Sequence, residues 1–189
     1  MKLPSKTTGF SLLFTLVFII SLDLMFKTNE AMPVKIDQNT PDIYSKNIEY
    51  INYAMNGLIE NKLTSQLAVH YPKSDTTDFN HPKLIYYTEN QQSWIVTSDK
   101  GKSLHGKEKI LLNQNVLIHQ PQTTVVPDTK IYTQHLTIDP STNTAKTNDP
   151  VKITRPGTVI HGIGMTANLK TGEYKLLKQA RGTYYVANA

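Results

Sequence analysis

Six histidines are the side chains of this chain best suited to chemistry near neutral pH: His70, His81, His105, His119, His135 and His161. Their spacing does not serve it. A helical zinc site needs two histidines four apart beside a glutamate, and no pair here has that spacing. Cysteine is absent, which removes thiolate nucleophiles, thiolate metal ligands and any disulfide scaffold. No Gly-x-Ser-x-Gly, Ser-x-x-Lys or phosphate-cradling glycine loop occurs. The glycines Gly157, Gly162 and Gly164 follow Pro156 among apolar Val159, Ile160 and Ile163, and read as a bend or bulge in a sheet. The chain is therefore not expected to be an enzyme, nor to hold a metal or cofactor. An enzyme assembled only in three dimensions would show a polar cleft with perturbed titratable groups.

What is left to do work is apolar. After residue 45 the chain reads as short runs that alternate apolar and polar residues between Gly, Pro, Asn and Asp, the pattern of half-buried strands. Such runs are Ile48 to Tyr53, Leu63 to Tyr71, Leu84 to Tyr87, Trp94 to Ser98, Ile110 to Ile118, Lys130 to Ile138, Val151 to Thr154 and Tyr174 to Leu177, with Thr183 to Val186 as the last. A single helical turn is expected near Asp42 to Lys46. Alternation puts Phe79, Leu84, Trp94, Val96, Ile110, Leu112, Val116, Ile118, Leu136, Ile138, Tyr174 and Leu176 on one interior face. That face is a plain core if the sheet closes, and a groove for acyl chains if it stays open along one side. Thr64, Thr97, Thr133 and Thr166 recur roughly every 35 residues, which suggests repeated strand units needing one another to bury an apolar face. A polar turn is expected after each, at Lys73-Ser74-Asp75, Lys100-Gly101-Lys102, Asp139-Pro140-Ser141 and Lys170-Thr171-Gly172. A further strand follows in NHPKLIYY, NQNVLIH and NDPVKIT.

These strands are held by a simple organisation. Lys2 and Lys6 precede a mainly apolar run from Phe10 to Phe26, whose only charge is Asp23 near its end. As a helix it is about 26 Å long, at the lower limit for crossing a bilayer core of about 30 Å. The exit Lys27-Thr28-Asn29-Glu30-Ala31 lacks a small-residue cleavage site, so an uncleaved anchor is expected rather than a signal peptide. Basic residues before the span point to a cytoplasmic tail (1–9), a transmembrane helix (10–26), a linker (27–45) with Pro33 and Pro41, and one domain (46–189) outside the inner membrane. The net charge of +5 makes nucleic acid an improbable partner there and anionic lipid a better one; solubility alone also accounts for it.

The order of these segments resembles the lipopolysaccharide transport protein C (LptC) family. The likeness runs through IEYINYAMNG ending at Gly57, DFNHPKLIYYTENQQSWIVTSDKGKSL, KILLNQNVLIH and RPGTVIHGIGMTANLKTGEYKLLKQARGTYYV. Its strongest pieces are the Trp94 to Asp99 step, the Ile110 to Ile118 strand and the Gly157 to Tyr184 segment. Asn113-Gln114-Asn115 stands where relatives commonly carry a glycine in a tight turn, and asparagine tolerates the left-handed backbone.

The resemblance implies an all-β, twisted β-jellyroll of repeated antiparallel strands behind a single transmembrane helix. It implies a hydrophobic interior that holds the acyl chains of lipopolysaccharide, with Phe79 and Tyr174 matching lipid-contact positions and the interior set above forming the trough. Lys83, Lys109, Lys152 and Arg155 are then candidates for a phosphate-binding rim. The first strand (Ile48, Tyr50, Ile51, Tyr53) would pair with an inner-membrane ABC transporter of the LptB, LptF and LptG type. The last (Thr183, Tyr184, Tyr185, Val186) would pair with a periplasmic LptA-type bridge protein. Gly57 and Gly157 match family glycines, Gly57 closing a hairpin where a Cβ would clash and Gly157 making a bend. The rival reading is a membrane-tethered scaffold whose interior is fully packed.

Overall fold

The computed structural model describes residues 40–88, 92–106 and 108–185. The expected tail, the span at 10–26, linker residues 27–39 and Val186 lie outside them. No helix among the described residues is long and apolar enough to cross a membrane.

Eleven strands form one antiparallel sheet among the described residues: β1 (Ile43–Tyr53), β2 (Ile59–Tyr71), β3 (Thr76–Asn80), β4 (Lys83–Tyr87), β5 (Ser93–Thr97), β6 (Lys100–Leu104), β7 (Lys109–Gln120), β8 (Thr129–Asp139), β9 (Thr144–Arg155), β10 (Thr158–Asn168) and β11 (Tyr174–Tyr184). Two long strands organise it. β2 pairs with β1 on one side, and on the other with β4 through Asn61–Thr64 and β3 through Leu67–Tyr71. β7 pairs with β8 on one side, and on the other with β6 through Lys109–Asn113 and β5 through Leu117–His119. The short strands bridge the two long ones as β3–β6 and β4–β5. β1 and β11 are the open edges.

A crease crosses the sheet at mid-length. Asn47 and Gln66 drop out of the β1–β2 pairing, Gln114, Asn115 and Gln134 out of β7–β8, Gly164 out of β9–β10 and Gly162 out of β10–β11. Asn47, Gln114 and Asn115 take the left-handed backbone there, at φ 51°, 67° and 52°. Asn47 and Gln66 drop out one against one, whereas the other positions are bulges, whose extra residues bend a strand and sharpen its twist. Hydroxyls fix the bend. Ser65 Oγ donates to the carbonyls of Leu67 and Asn80, Ser98 Oγ to that of Lys100, and buried Thr133 Oγ1 to that of Pro150 at 3.2 Å. The roughly 35-residue repeat is thereby given a physical meaning: three of its four threonines, Thr64, Thr97 and Thr133, are or adjoin these hydroxyls, and the Asn-x-Pro or Asn-x-Asn steps at Asn80, Asn113 and Asn148 cross the crease.

The bent sheet rolls up. β5 and β11 lie five strand steps apart, about 24 Å if flat. Yet Trp94 of β5 meets Tyr174 of β11 edge-on, ring centroids 6.3 Å apart. Inside the roll, Trp94, Val96, Leu112, Val116, Ile118, Ile131, Leu136, Ile138, Val151, Ile153 and Met165 close on one another as a core.

Four expectations need correction. β1 begins at Ile43, inside the segment taken as linker and turn, because Ile43 and Ser45 already pair with His70 and Ala68. Lys100-Gly101-Lys102 is no turn but β6, where a Cβ on Gly101 would stand 2.9 Å from Pro82. Asn113 to Asn115 form a bulge within β7 rather than a tight turn. Tyr174–Leu177 and Thr183–Tyr184 belong to one strand, β11.

Candidate functional site

Under the β1 edge the roll does not close. A cleft of about 600 Å³ lies between β1, β2, β3 and β4, with Ile110 of β7 at one side. Its position follows from the crease. In β1 the inward side chains are Ile43 and Ser45, then Ile48, Tyr50 and Asn52, the parity flipping at Asn47. In β2 they are Leu63, then Ala68 and His70, flipping at Gln66. Phe79 and Leu84 form the floor, with Tyr86, Thr77 and Ser103 beside them. The cleft has the size of small-ligand sites, and its walls are mainly apolar.

Polar groups stand at its ends. His70 lies between two carboxylates, Nδ1 2.7 Å from Asp42 Oδ1 and Nε2 3.6 Å from Asp75 Oδ1. The hydrogen bond that His70 donates to the Asp42 carboxylate raises the His70 pKa above its ordinary value. The Asp42 N–H also donates to the His70 carbonyl at 3.1 Å, so this cluster ties down the start of β1. Toward the other end of β1, Asn52 Nδ2 donates to Glu60 Oε2 at 2.9 Å, and Lys62 pairs with Glu49 at 2.8 Å. Burial, followed by the Glu60 charge, pushes the Tyr86 phenol far up, so it stays neutral. Among the described residues no three or more His, Asp or Glu side chains gather where they would hold a metal ion.

The twelve interior residues are all buried or half-buried, but the structure divides them. Phe79, Leu84 and Ile110 line the cleft, Leu84 as a member of the core and Ile110 packed against it. Trp94, Val96, Leu112, Val116, Ile118, Leu136 and Ile138 pack in the core, with Tyr174 and Leu176 against it. Tyr174 is capped: Arg155 donates a hydrogen bond to its hydroxyl and lies 5.6 Å from its ring centre. Sequence alternation missed Ala68, His70 and Tyr86 of the cleft; Tyr86 lay two residues after Leu84 in an alternating run and was open to detection.

The suggested cationic rim is not at the cleft. Arg155 caps Tyr174, Lys109 belongs to a separate polar hollow with His135 and Asp149, and the pairings put Lys83 and Lys152 on the outer face. On the edge strands, Ile48 and Tyr50 turn side chains into the cleft, while Ile51 pairs with Lys62 and Tyr53 is exposed. Thr183 and Tyr184 end β11 in the open, and the Tyr185 N–H donates to the Gly157 carbonyl at 2.8 Å. Gly57 does close the β1–β2 hairpin, but no atom lies within 4 Å of a Cβ there; its φ of +80° is the reason for glycine, not a clash. Gly157 has φ +66°, and a Cβ would stand 3.1 Å from the Tyr185 carbonyl oxygen.

These features define a class of protein: an all-β, jellyroll-like domain with two open edges and an apolar cleft beneath one of them. A solved structure shares the fold, described as that of LptH, the LptA homologous periplasmic component of the conserved lipopolysaccharide transport device from Pseudomonas aeruginosa. The TM-score is 0.50 at 11% identity, over 67% of this chain and 95% of that one. A comparison with curated proteins gives no significant match. The sequence profile of the family described as "Lipopolysaccharide-assembly, LptC-related" matches residues 11–185, and the chain belongs to that family. The resemblance read from the sequence is borne out.

Proposed function

We propose that this protein is the inner-membrane-anchored member of a lipopolysaccharide transport bridge, its tail in the cytoplasm and its β-domain in the periplasm. It takes lipopolysaccharide from an ABC transporter of the LptB, LptF and LptG type and passes it to an LptA-type protein. The observation that carries this reading is the apolar cleft of about 600 Å³ walled by an edge strand. An acyl chain crossing water costs about 0.8 kcal/mol per CH₂, and a cleft lined by Ile48, Phe79, Leu84 and Ile110 removes that cost. Open edges are ordinarily an aggregation hazard. On this reading β1 and β11 extend the sheet into the partners by strand addition. The chain supplies no catalysis; the transporter provides the energy.

The scaffold reading draws on the capped Tyr174 and the closed core, so the test distinguishes the two. A photocross-linking residue is placed in cells at Phe79, at Tyr174 and at outward Lys175. The expected result is an energy-dependent lipopolysaccharide adduct at Phe79 and none at Lys175. An adduct at Tyr174 as well extends the trough along the whole roll. No adduct at any position, in protein that is folded and inserted, leaves the scaffold.

A further inference from the structure

The outer face of the sheet carries a second feature, separated from the cleft by the core. Strand pairing sets one row of side chains directly opposite one another across β7 to β11: Leu117–Tyr132–Lys152–His161–Arg181. Lys152 and Arg181 stand two strand steps apart, about 10 Å, with His161 between. Among the described residues none of the three has a carboxylate within ion-pairing distance, whereas His119, His135 and Lys130 all have one. Lys152 and Arg181 thus present two cations without a counter-charge on one exposed row, and an anion between them is attracted by both. A groove of about 620 Å³ lies on the same row where the crease opens the sheet. Its floor holds Leu117, Tyr132 and Pro150, and its lip holds Lys152 and His161.

We propose that this groove and row bind the phosphate headgroup region of anionic membrane phospholipid. The groove and row match an amphiphile: apolar Leu117, Pro150 and the exposed Tyr132 line the groove, with Lys152 directly opposite Tyr132 and Arg181 further along the row. A membrane is the source because the expected span at 10–26 holds the domain at a high effective concentration near a bilayer. The inference rests on the membrane anchor of the proposed function but not on the cleft's cargo, because the buried core between this face and the cleft keeps the two sites apart.

The chain has no cysteine, so a single Gln134→Cys substitution in the groove carries one environment-sensitive fluorophore. The full chain is placed in nanodiscs of phosphatidylcholine with and without phosphatidylglycerol. The expected result is a blue shift only with phosphatidylglycerol, lost between about 0.05 M and about 0.5 M salt. The Lys152→Gln/Arg181→Gln pair weakens the lipid response about thirtyfold, at roughly one kcal/mol per charge near an anionic surface. Unchanged circular dichroism confirms that the pair still folds. Equal spectra in both lipids overturn the proposal. So does a shift given only by lipopolysaccharide, which would assign the row to transported lipid, and so does a response that the charge-neutral pair retains.

Discussion

Truncating Ile48 to alanine strips apolar wall from the cleft without touching the closed core. Ile48 is half-buried on an edge strand, and its side chain lines the cleft beside Tyr50 and Leu63. The change deletes about three carbon groups worth about 0.8 kcal/mol each against a bound acyl chain, so up to about 2.4 kcal/mol, or roughly sixtyfold in Kd. Because Ile48 is not fully buried without ligand, stability should move by less than about 1 kcal/mol. Ile138→Ala is the contrast. Its side chain is 0% exposed inside the core, so the deletion leaves a cavity and costs about 2–5 kcal/mol of stability, with lipid affinity unchanged in the folded fraction. The assay is displacement of a fluorescent lipopolysaccharide from the full chain in nanodiscs, paired with urea unfolding of both variants. An unchanged Kd for folded Ile48→Ala would refute the assignment of this cleft to acyl chains. A loss of stability as large as that of Ile138→Ala would refute the division between cleft and core.

Thr133→Val deletes the hydroxyl that bonds the Pro150 carbonyl across the crease, and should cost about 1–3 kcal/mol by urea midpoint while Thr133→Ser restores most of it. His70 has a raised pKa, so its pairing with Asp42 stabilises the start of β1 fully below the ordinary value of 6.5 and is lost as pH rises through the raised folded value. Urea unfolding between about pH 6 and about pH 8 should show stability falling with pH from this group, and His70→Gln should remove that component of the slope. Gly157→Ala forces a Cβ onto a φ of +66° and toward the Tyr185 carbonyl; it should cost about 1–2 kcal/mol and raise hydrogen exchange at the Tyr185 amide.

Period-two alternation carried β4, β5, β7, β8 and β9 and the inward set, because one face of each strand meets a core and must be apolar. It failed where the crease shifts parity. In β8 the inward residues are Ile131 and Thr133, then Leu136 and Ile138, and nothing local to Gln134 announces the change. β3 and β6 are five residues each like β4 and β5, but Thr-Thr-Asp-Phe-Asn and Lys-Gly-Lys-Ser-Leu carry one large apolar residue apiece, too few to show a period, and β6 reads as a turn. Gly101 sits there because Pro82 leaves no room for a side chain, a constraint imposed from outside the segment. The cleft was illegible for the same reason. Phe79 and Leu112 have the same alternation signature, yet only Phe79 borders open space, since that depends on which distant strands come to face it when the sheet rolls.

The placement of the cleft beneath an edge strand has a geometric consequence for the proposed function. In a β-strand the backbone hydrogen bonds run in the plane of the sheet and the side chains stand perpendicular to it. β1 uses one in-plane side for β2 and leaves the other free, while Ile48 and Tyr50 point down into the cleft and Glu49 and Ile51 point away. One strand is therefore both lining and docking edge, with no group asked to do both. It is held at Asp42 by His70, at Glu49 by Lys62 and near its far end by Asn52 on Glu60, in addition to its ladder to β2. A partner strand added to that free side would extend the apolar wall made by Ile48 and Tyr50 directly into the neighbouring sheet. In a bridge of such sheets the continuity of the lipid path and the attachment of the subunits would then be the same structural feature. Substitutions that weaken β1 pairing would be expected to disturb both together, whereas Ile48→Ala should disturb the lipid path alone.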